Sequence, residues 1–138
     1  MLPNGDFSAK NRKEAISKWK TSGKLSTKEH PAHKSVSLCL SGHLAQAVQR
    51  VKVKPGEKYR IEGWVKSSNP KKQASIGVRT LNYKWLLRLH NRMGDWEYIS
   101  GEFIVPEKTD TLYVYCINWY AGKGAQIHYA DIKLVKVD

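Results

Sequence analysis

Polar and apolar residues alternate with a period of two through much of this chain. Ser35-Val36-Ser37-Leu38-Cys39-Leu40 alternates and is then broken by Ser41-Gly42. Gln49-Arg50-Val51-Lys52-Val53-Lys54 alternates again and stops at the turn dipeptide Pro55-Gly56. Successive side chains of a strand point to opposite faces, so this period predicts half-buried β-strands. The same signal, enriched in aromatic and β-branched residues, predicts strands over 59–66, 74–80, 96–105, 111–119 and 126–137. Residues 67–72, which hold Pro70, and Gly122-Lys123-Gly124 read as loop and turn. Residues 80–93 fall between two strands and read as a long loop. Residues 11–20 have some helical propensity, with Glu14 and Lys18 at i,i+4. Their apolar content is only Ala15, Ile16 and Trp19, which favours a loop leading into a strand near Trp19. Short strands between turn signals predict an all-β fold, a sandwich or jelly roll of two antiparallel sheets.

Two of these strands have unusual faces. In 59–66, Tyr59, Ile61, Gly63 and Val65 form one face and suit a core. The other face carries Arg60, Glu62, Trp64 and Lys66. A core does not take those charges, and an ordinary solvated face rarely carries the Trp. In 74–80, Ala74, Ile76 and Val78 face one way and Ser75, Gly77 and Arg79 the other, with the glycine leaving room beside an aromatic platform. Taken as neighbours, the two strands suggest one sheet face built to be covered by a ligand. The segment 80–93 adds Tyr83, Lys84, Trp85, Arg88, His90 and Arg92. Trp19, Tyr59, Trp96 and Phe103 are the aromatics expected in the core.

Composition narrows the classes. The 138 residues are 41% hydrophobic and 26% charged, which fits one globular domain able to bury its own core. No run of ~18 apolar residues and no charged-then-apolar leader is present, so neither a membrane span nor a signal peptide is expected. Lys and Arg total 24 against 12 Asp and Glu, a formal charge of +12. Such an excess attracts polyanions or simply keeps the chain soluble. Cys39 and Cys116 lack CxxC spacing and read as free thiols, with one disulfide as the alternative.

Rings and cations together suit sugars. A pyranose presents a C–H face that stacks on an aromatic ring, while its hydroxyls meet polar groups at the rim. Arginine and lysine add contacts to carboxylate or sulfate groups. Single-stranded nucleic acid uses the same residue types, with bases on the rings.

The order of short motifs resembles carbohydrate-binding modules of families 4, 9, 16 and 22. Leu2-Pro3-Asn4-Gly5-Asp6-Phe7 is similar to their "NGDFE" start, followed by Trp19. His33 and Val36-Ser37-Leu38 resemble "HSGKYSL". Val53 to Tyr59 and Gly63-Trp64-Val65-Lys66 resemble "PGKTY" and "WVK". Gly94-Asp95-Trp96 before Phe103, and Tyr129-Ala130-Asp131-Ile132-Lys133-Leu134, complete the set. The resemblance implies a jelly roll like galactose-binding domains, non-catalytic and usually appended to a glycoside hydrolase or polysaccharide lyase. It implies a secreted or cell-surface protein of which 1–138 is one module, acting as a monomer. Trp64, Tyr83 and Trp85 with Arg79 would line a concave cleft. Arg60, Arg79, Lys66 and Arg88 would pair with acidic groups, and Glu62 would hold Arg60 or accept from hydroxyls. The resemblance also implies a structural calcium near Asp6 and Asp131, although Ser8 replaces the family's Glu and 33–35 read His-Lys-Ser.

The expected ligand is a polysaccharide, with an acidic glycan (alginate, pectic or sulfated) favoured by the charge. A neutral β-glucan or mannan is the alternative, and a basic single-stranded nucleic-acid binder the competing class. No nucleophile and base combine into a hydrolytic set. Glu29-His30 with His33 lacks a third metal partner. Gln126-Ile127-His128 matches a tripeptide of jelly-roll alginate lyases without their other motifs.

Overall fold

The computed structural model describes residue 5 and residues 19–21, 23–26, 36–42, 45–67, 75–91, 95–118 and 126–138. Ten strands run in chain order: β1 (Lys20–Thr21), β2 (Lys24–Ser26), β3 (Ser37–Ser41), β4 (Gln46–Lys52), β5 (Lys58–Ser67), β6 (Ser75–Thr80), β7 (Trp85–His90), β8 (Glu97–Ile104), β9 (Thr111–Ile117) and β10 (Gln126–Val137). They form two five-stranded antiparallel sheets. Sheet A has the order β1-β4-β9-β6-β7 and sheet B the order β2-β3-β10-β5-β8. The described residues contain no helix.

Alternation fixes which side of each strand faces inward. Ile61 and Val65 of β5, Ile76 and Val78 of β6, Leu112 and Val114 of β9, and Ile127 and Leu134 of β10 are buried together. The two sheets meet tightly: a Cβ added at Gly63 would lie 2.5 Å from Ile132 Cδ1 and 3.0 Å from Ile76 Cδ1. At about 25 cal/mol per Å2 of apolar area, this shared interior is the main stabilising term. A buried polar clamp ties the sheets together. Tyr129 donates its hydroxyl to Asn118 Oδ1 at 2.9 Å, and Asn118 Nδ2 donates to the Leu40 carbonyl at 2.9 Å.

Three expectations are corrected. Residues 80–93 are not one long loop, because β7 pairs with β6 across a short turn. Periodicity missed it because Trp85-Leu86-Leu87-Arg88-Leu89 does not alternate; the register with β6 shifts between Val78 and Arg79. The strands around 59–66 and 74–80 are not neighbours, because β5 belongs to sheet B and β6 to sheet A. Trp96 lies partly exposed beside His128, their ring centroids 6.4 Å apart, rather than in the core. As expected, Cys39 and Cys116 are free thiols, and they sit on different sheets. Trp19, Tyr59 and Phe103 are buried as expected. Residues 11–18, 29–33, 68–74 and 119–125 lie outside the described residues.

Candidate functional site

The eight candidate ligand residues split evenly between the two outer faces. Arg79, Tyr83, Trp85 and Arg88 belong to sheet A; Arg60, Glu62, Trp64 and Lys66 belong to sheet B. These faces look away from each other, with the core between them, so one trough does not hold both tryptophans.

On sheet A, register sets the outer rungs. Arg79 lies opposite Tyr113 on one side and Trp85 on the other, and Gly77 lies opposite Tyr115 and Arg88. Tyr113 and Tyr115 are two residues apart on β9 and share this face. The Arg79 guanidinium therefore sits among rings. It is 4.4 Å from the Tyr83 centroid, 5.1 Å from those of Tyr113 and Tyr115, and 6.0 Å from that of Trp85. Arginine over aromatic faces is attracted by the ring quadrupole. Its Nε is buried and makes no hydrogen bond. Arg88 also lies 6.0 Å from the Trp85 ring. Gly77 is what lets the indole lie down: a Cβ there would meet the Trp85 ring at 2.8 Å.

Tyr83 is held outward by its turn. Thr80 N–H donates to the Lys84 carbonyl at 2.8 Å, and Lys84 N–H donates to Thr80 Oγ1 at 3.0 Å. The three residues between include Tyr83 in the left-handed region, φ 69°. A three-residue hairpin loop wants its third residue there, and glycine is the usual choice. A tyrosine in that position is strained, and strain of this kind gathers at ligand sites. The residue is 77% exposed, yet its ring lies over Arg79. Desolvation raises the Tyr115 hydroxyl pKa, and the nearby Arg79 charge opposes that shift.

Sheet B is organised by charge pairing. Arg60 Nε donates to Glu62 Oε2 at 3.1 Å, and Lys58 faces Glu102 at 3.6 Å. Lys133 lies 3.4 Å from Asp131 and Lys136 lies 2.5 Å from Glu57. Trp64 is partly buried and points outward against Tyr98, centroids 5.2 Å apart. Burial and the hydrogen bond to Glu62 push the Tyr98 hydroxyl well above its ordinary range. Lys66 lies opposite His128. The pattern on sheet A is the reverse. Its five strands carry Lys20, Arg50, Lys52, Arg79 and Arg88 and no Asp or Glu at all.

Asp131 occupies the β10 bulge with φ 52°, a conformation that Asp tolerates better than most residues. The bulge frees the Ile132 N–H, which donates to the Gly5 carbonyl at 2.7 Å, so Gly5 lies next to the bulge. Calcium takes about 6–8 oxygens. The described residues supply one carboxylate here, already facing Lys133, and no group of three His, Cys, Asp or Glu gathers among them. Asp6 lies outside the described residues. Sequence reasoning missed Tyr113 and Tyr115. The signal was available in the alternation of Leu112-Tyr113-Val114-Tyr115-Cys116.

Comparison with known proteins agrees with this architecture. The family model described as a carbohydrate binding domain, of the 4 and 9 type, matches residues 1–122. No curated protein matches. Tailspike protein 4 of bacteriophage CBA120 superposes with a TM-score of 0.74 at 14% identity, over 99% of this chain and 21% of the tailspike chain. A family 16 carbohydrate binding module superposes at 0.68 with 20% identity, over 85% of this chain and 89% of the module. TmCBM61, solved with β-1,4-galactotriose, superposes at 0.69 with 14% identity, over 99% of this chain and 97% of that one. The chain thus spans about a fifth of the tailspike but nearly the whole of each isolated module. With that match over most of its length, the chain belongs to the carbohydrate binding domain family of the 4 and 9 type and is a non-catalytic carbohydrate-binding module.

Proposed function

We propose that the module binds an acidic polysaccharide along the outer face of sheet A. The single observation that carries this reading is the Arg79 cage: a guanidinium among four rings, on a face whose strands hold five cations and no carboxylate. Tyr83 and Trp85 offer platforms for sugar C–H faces. Arg79 and Arg88 lie within reach of the same ligand and favour uronate or sulfate groups. The β-1,4-galactotriose bound by TmCBM61 supports a glycan as the ligand class. In this reading the Trp64 face is not part of the site, because Lys58, Arg60 and Lys133 there already face carboxylates. A structural calcium beside Asp131 belongs to the same proposal; it would displace Lys133 and draw further oxygens from the N-terminal stretch. The module would work as a monomer within a larger secreted or cell-surface protein.

Affinity electrophoresis tests this. The full chain runs through gels containing alginate, polygalacturonate or a neutral β-glucan. Retardation in the two acidic gels, lost in Trp85→Ala and kept in Trp64→Ala, is expected. Retardation only in the neutral gel overturns the acidic preference, and loss in Trp64→Ala alone moves the site to sheet B.

A further inference from the structure

The outer face of sheet A ends at a cleft. Thr111 lies two residues before Tyr113 on β9, on the same face and about 7 Å further along the strand. There β9 begins and β6 ends at Thr80, so the sheet offers no platform beyond this rung. In its place is a cleft of about 210 Å3 lined by Thr80, Asn82, Lys108, Thr109, Asp110 and Thr111, with Leu81 as its apolar wall. Pockets for drug-sized ligands run to ~300–1,000 Å3, and a water takes ~30 Å3 of liquid, so this space fits one small ring.

Its chemistry is that of a polyol receptor. Asp110 Oδ1 accepts from Thr111 Oγ1 at 3.1 Å and keeps lone pairs to spare. Asn82 Oδ1 is taken by the Thr80 hydroxyl, which leaves the Nδ2 amide as its donor. Lys108 adds three donors and Thr109 a hydroxyl. An acceptor flanked by donors matches neighbouring sugar hydroxyls, each of which both gives and takes a hydrogen bond. The two turns that wall the cleft hold two of the positive-φ residues, Tyr83 at 69° and Lys108 at 66°. Both turns are strained where a ligand would be gripped.

We propose that this cleft receives the terminal sugar unit of the chain lying on sheet A, which makes the module a chain-end binder. The inference rests on the sheet A reading above. The test uses the 15N-labelled full chain. Glucose and galacturonic acid serve as neutral and acidic monosaccharide probes, and polygalacturonate is used before and after partial hydrolysis. One of the monosaccharides is expected to shift the amides of Asn82, Thr109, Asp110 and Thr111. Binding capacity per mass of polygalacturonate is expected to rise in proportion to its chain ends. Asp110→Asn is expected to weaken the monosaccharide about tenfold, by loss of a charged acceptor, with spectral dispersion unchanged. Polymer shifts confined to Trp85, Tyr113 and Tyr115, with capacity unaltered by hydrolysis, overturn the chain-end inference and leave the sheet A reading standing. Cleft shifts without any at those three residues overturn the sheet A reading instead. Silence at both places overturns both.

Discussion

The two outer faces use the same residue types to opposite ends. On the outer face of sheet B, Lys58, Arg60 and Lys133 each face a carboxylate, so most of the charge there is paired. On sheet A the cations share their strands with no carboxylate, and Arg79 is surrounded by rings instead. The +12 of the whole chain is therefore unevenly spent, and the uneven part falls on the face richer in gathered aromatics. An arginine beside a carboxylate is solvated by its own protein. An arginine among rings keeps its hydrogen-bonding edge for a ligand.

The glycines under each face give the largest expected contrast. Gly63→Val drives a side chain into Ile132 and Ile76, and unfolding by urea should show a loss of about 1–3 kcal/mol or more. Gly77→Val lifts the Trp85 ring instead. It should weaken polysaccharide binding at least about tenfold, ~1.4 kcal/mol, while the urea midpoint moves far less. If both variants lose only stability, Gly77 is not shaping a site.

The buried clamp comes next. Tyr129→Phe leaves Asn118 Oδ1 without its donor in the interior, which should cost about 1–3 kcal/mol in thermal or urea unfolding without touching binding. Alkaline titration probes both faces together. The hydroxyls of Tyr98 and Tyr115 are raised above 10.0, mainly by burial. Above the unfolded value the unfolded chain releases these protons first, so the folded state binds more of them and stability falls as pH rises past that point. The unfolding midpoint should begin to fall as pH rises past 9.0, where the buried Cys116 thiol contributes, and fall more steeply past 10.0, less so in Tyr98→Phe and Tyr115→Phe. Arg60→Ala should be the mildest change. Its pair with Glu62 is partly exposed, so a loss within ~1 kcal/mol and no change in binding are expected.

Much of this architecture was legible in residue order. Alternation located β5, β6, β9 and β10 and assigned Ile76 and Val78 inward and Gly77 and Arg79 outward, because a strand with one wet face must alternate. Strand partners were not legible. Nothing local in Arg60-Ile61-Glu62-Gly63-Trp64 says that its neighbours are β8 and β10 rather than β6, since pairing is settled by long-range packing. The strand β7 escaped notice for a related reason: Leu86, Leu87 and Leu89 are all packed against the core, so its polar–apolar period fails. The candidate site was half legible. Residues 79, 83, 85 and 88 came out together, while Tyr113 and Tyr115 waited for the register that sets them beside Arg79.

The direct test of the account is a reciprocal pair of titrations by calorimetry with polygalacturonate. Arg79→Ala should lower affinity at least about thirtyfold, ~2 kcal/mol, as expected of a residue at the centre of an interface. Trp64→Ala should lower it less than about twofold, within the spread of independent sites. Full affinity in Arg79→Ala together with collapse in Trp64→Ala would contradict the account and place the ligand on the charge-paired face.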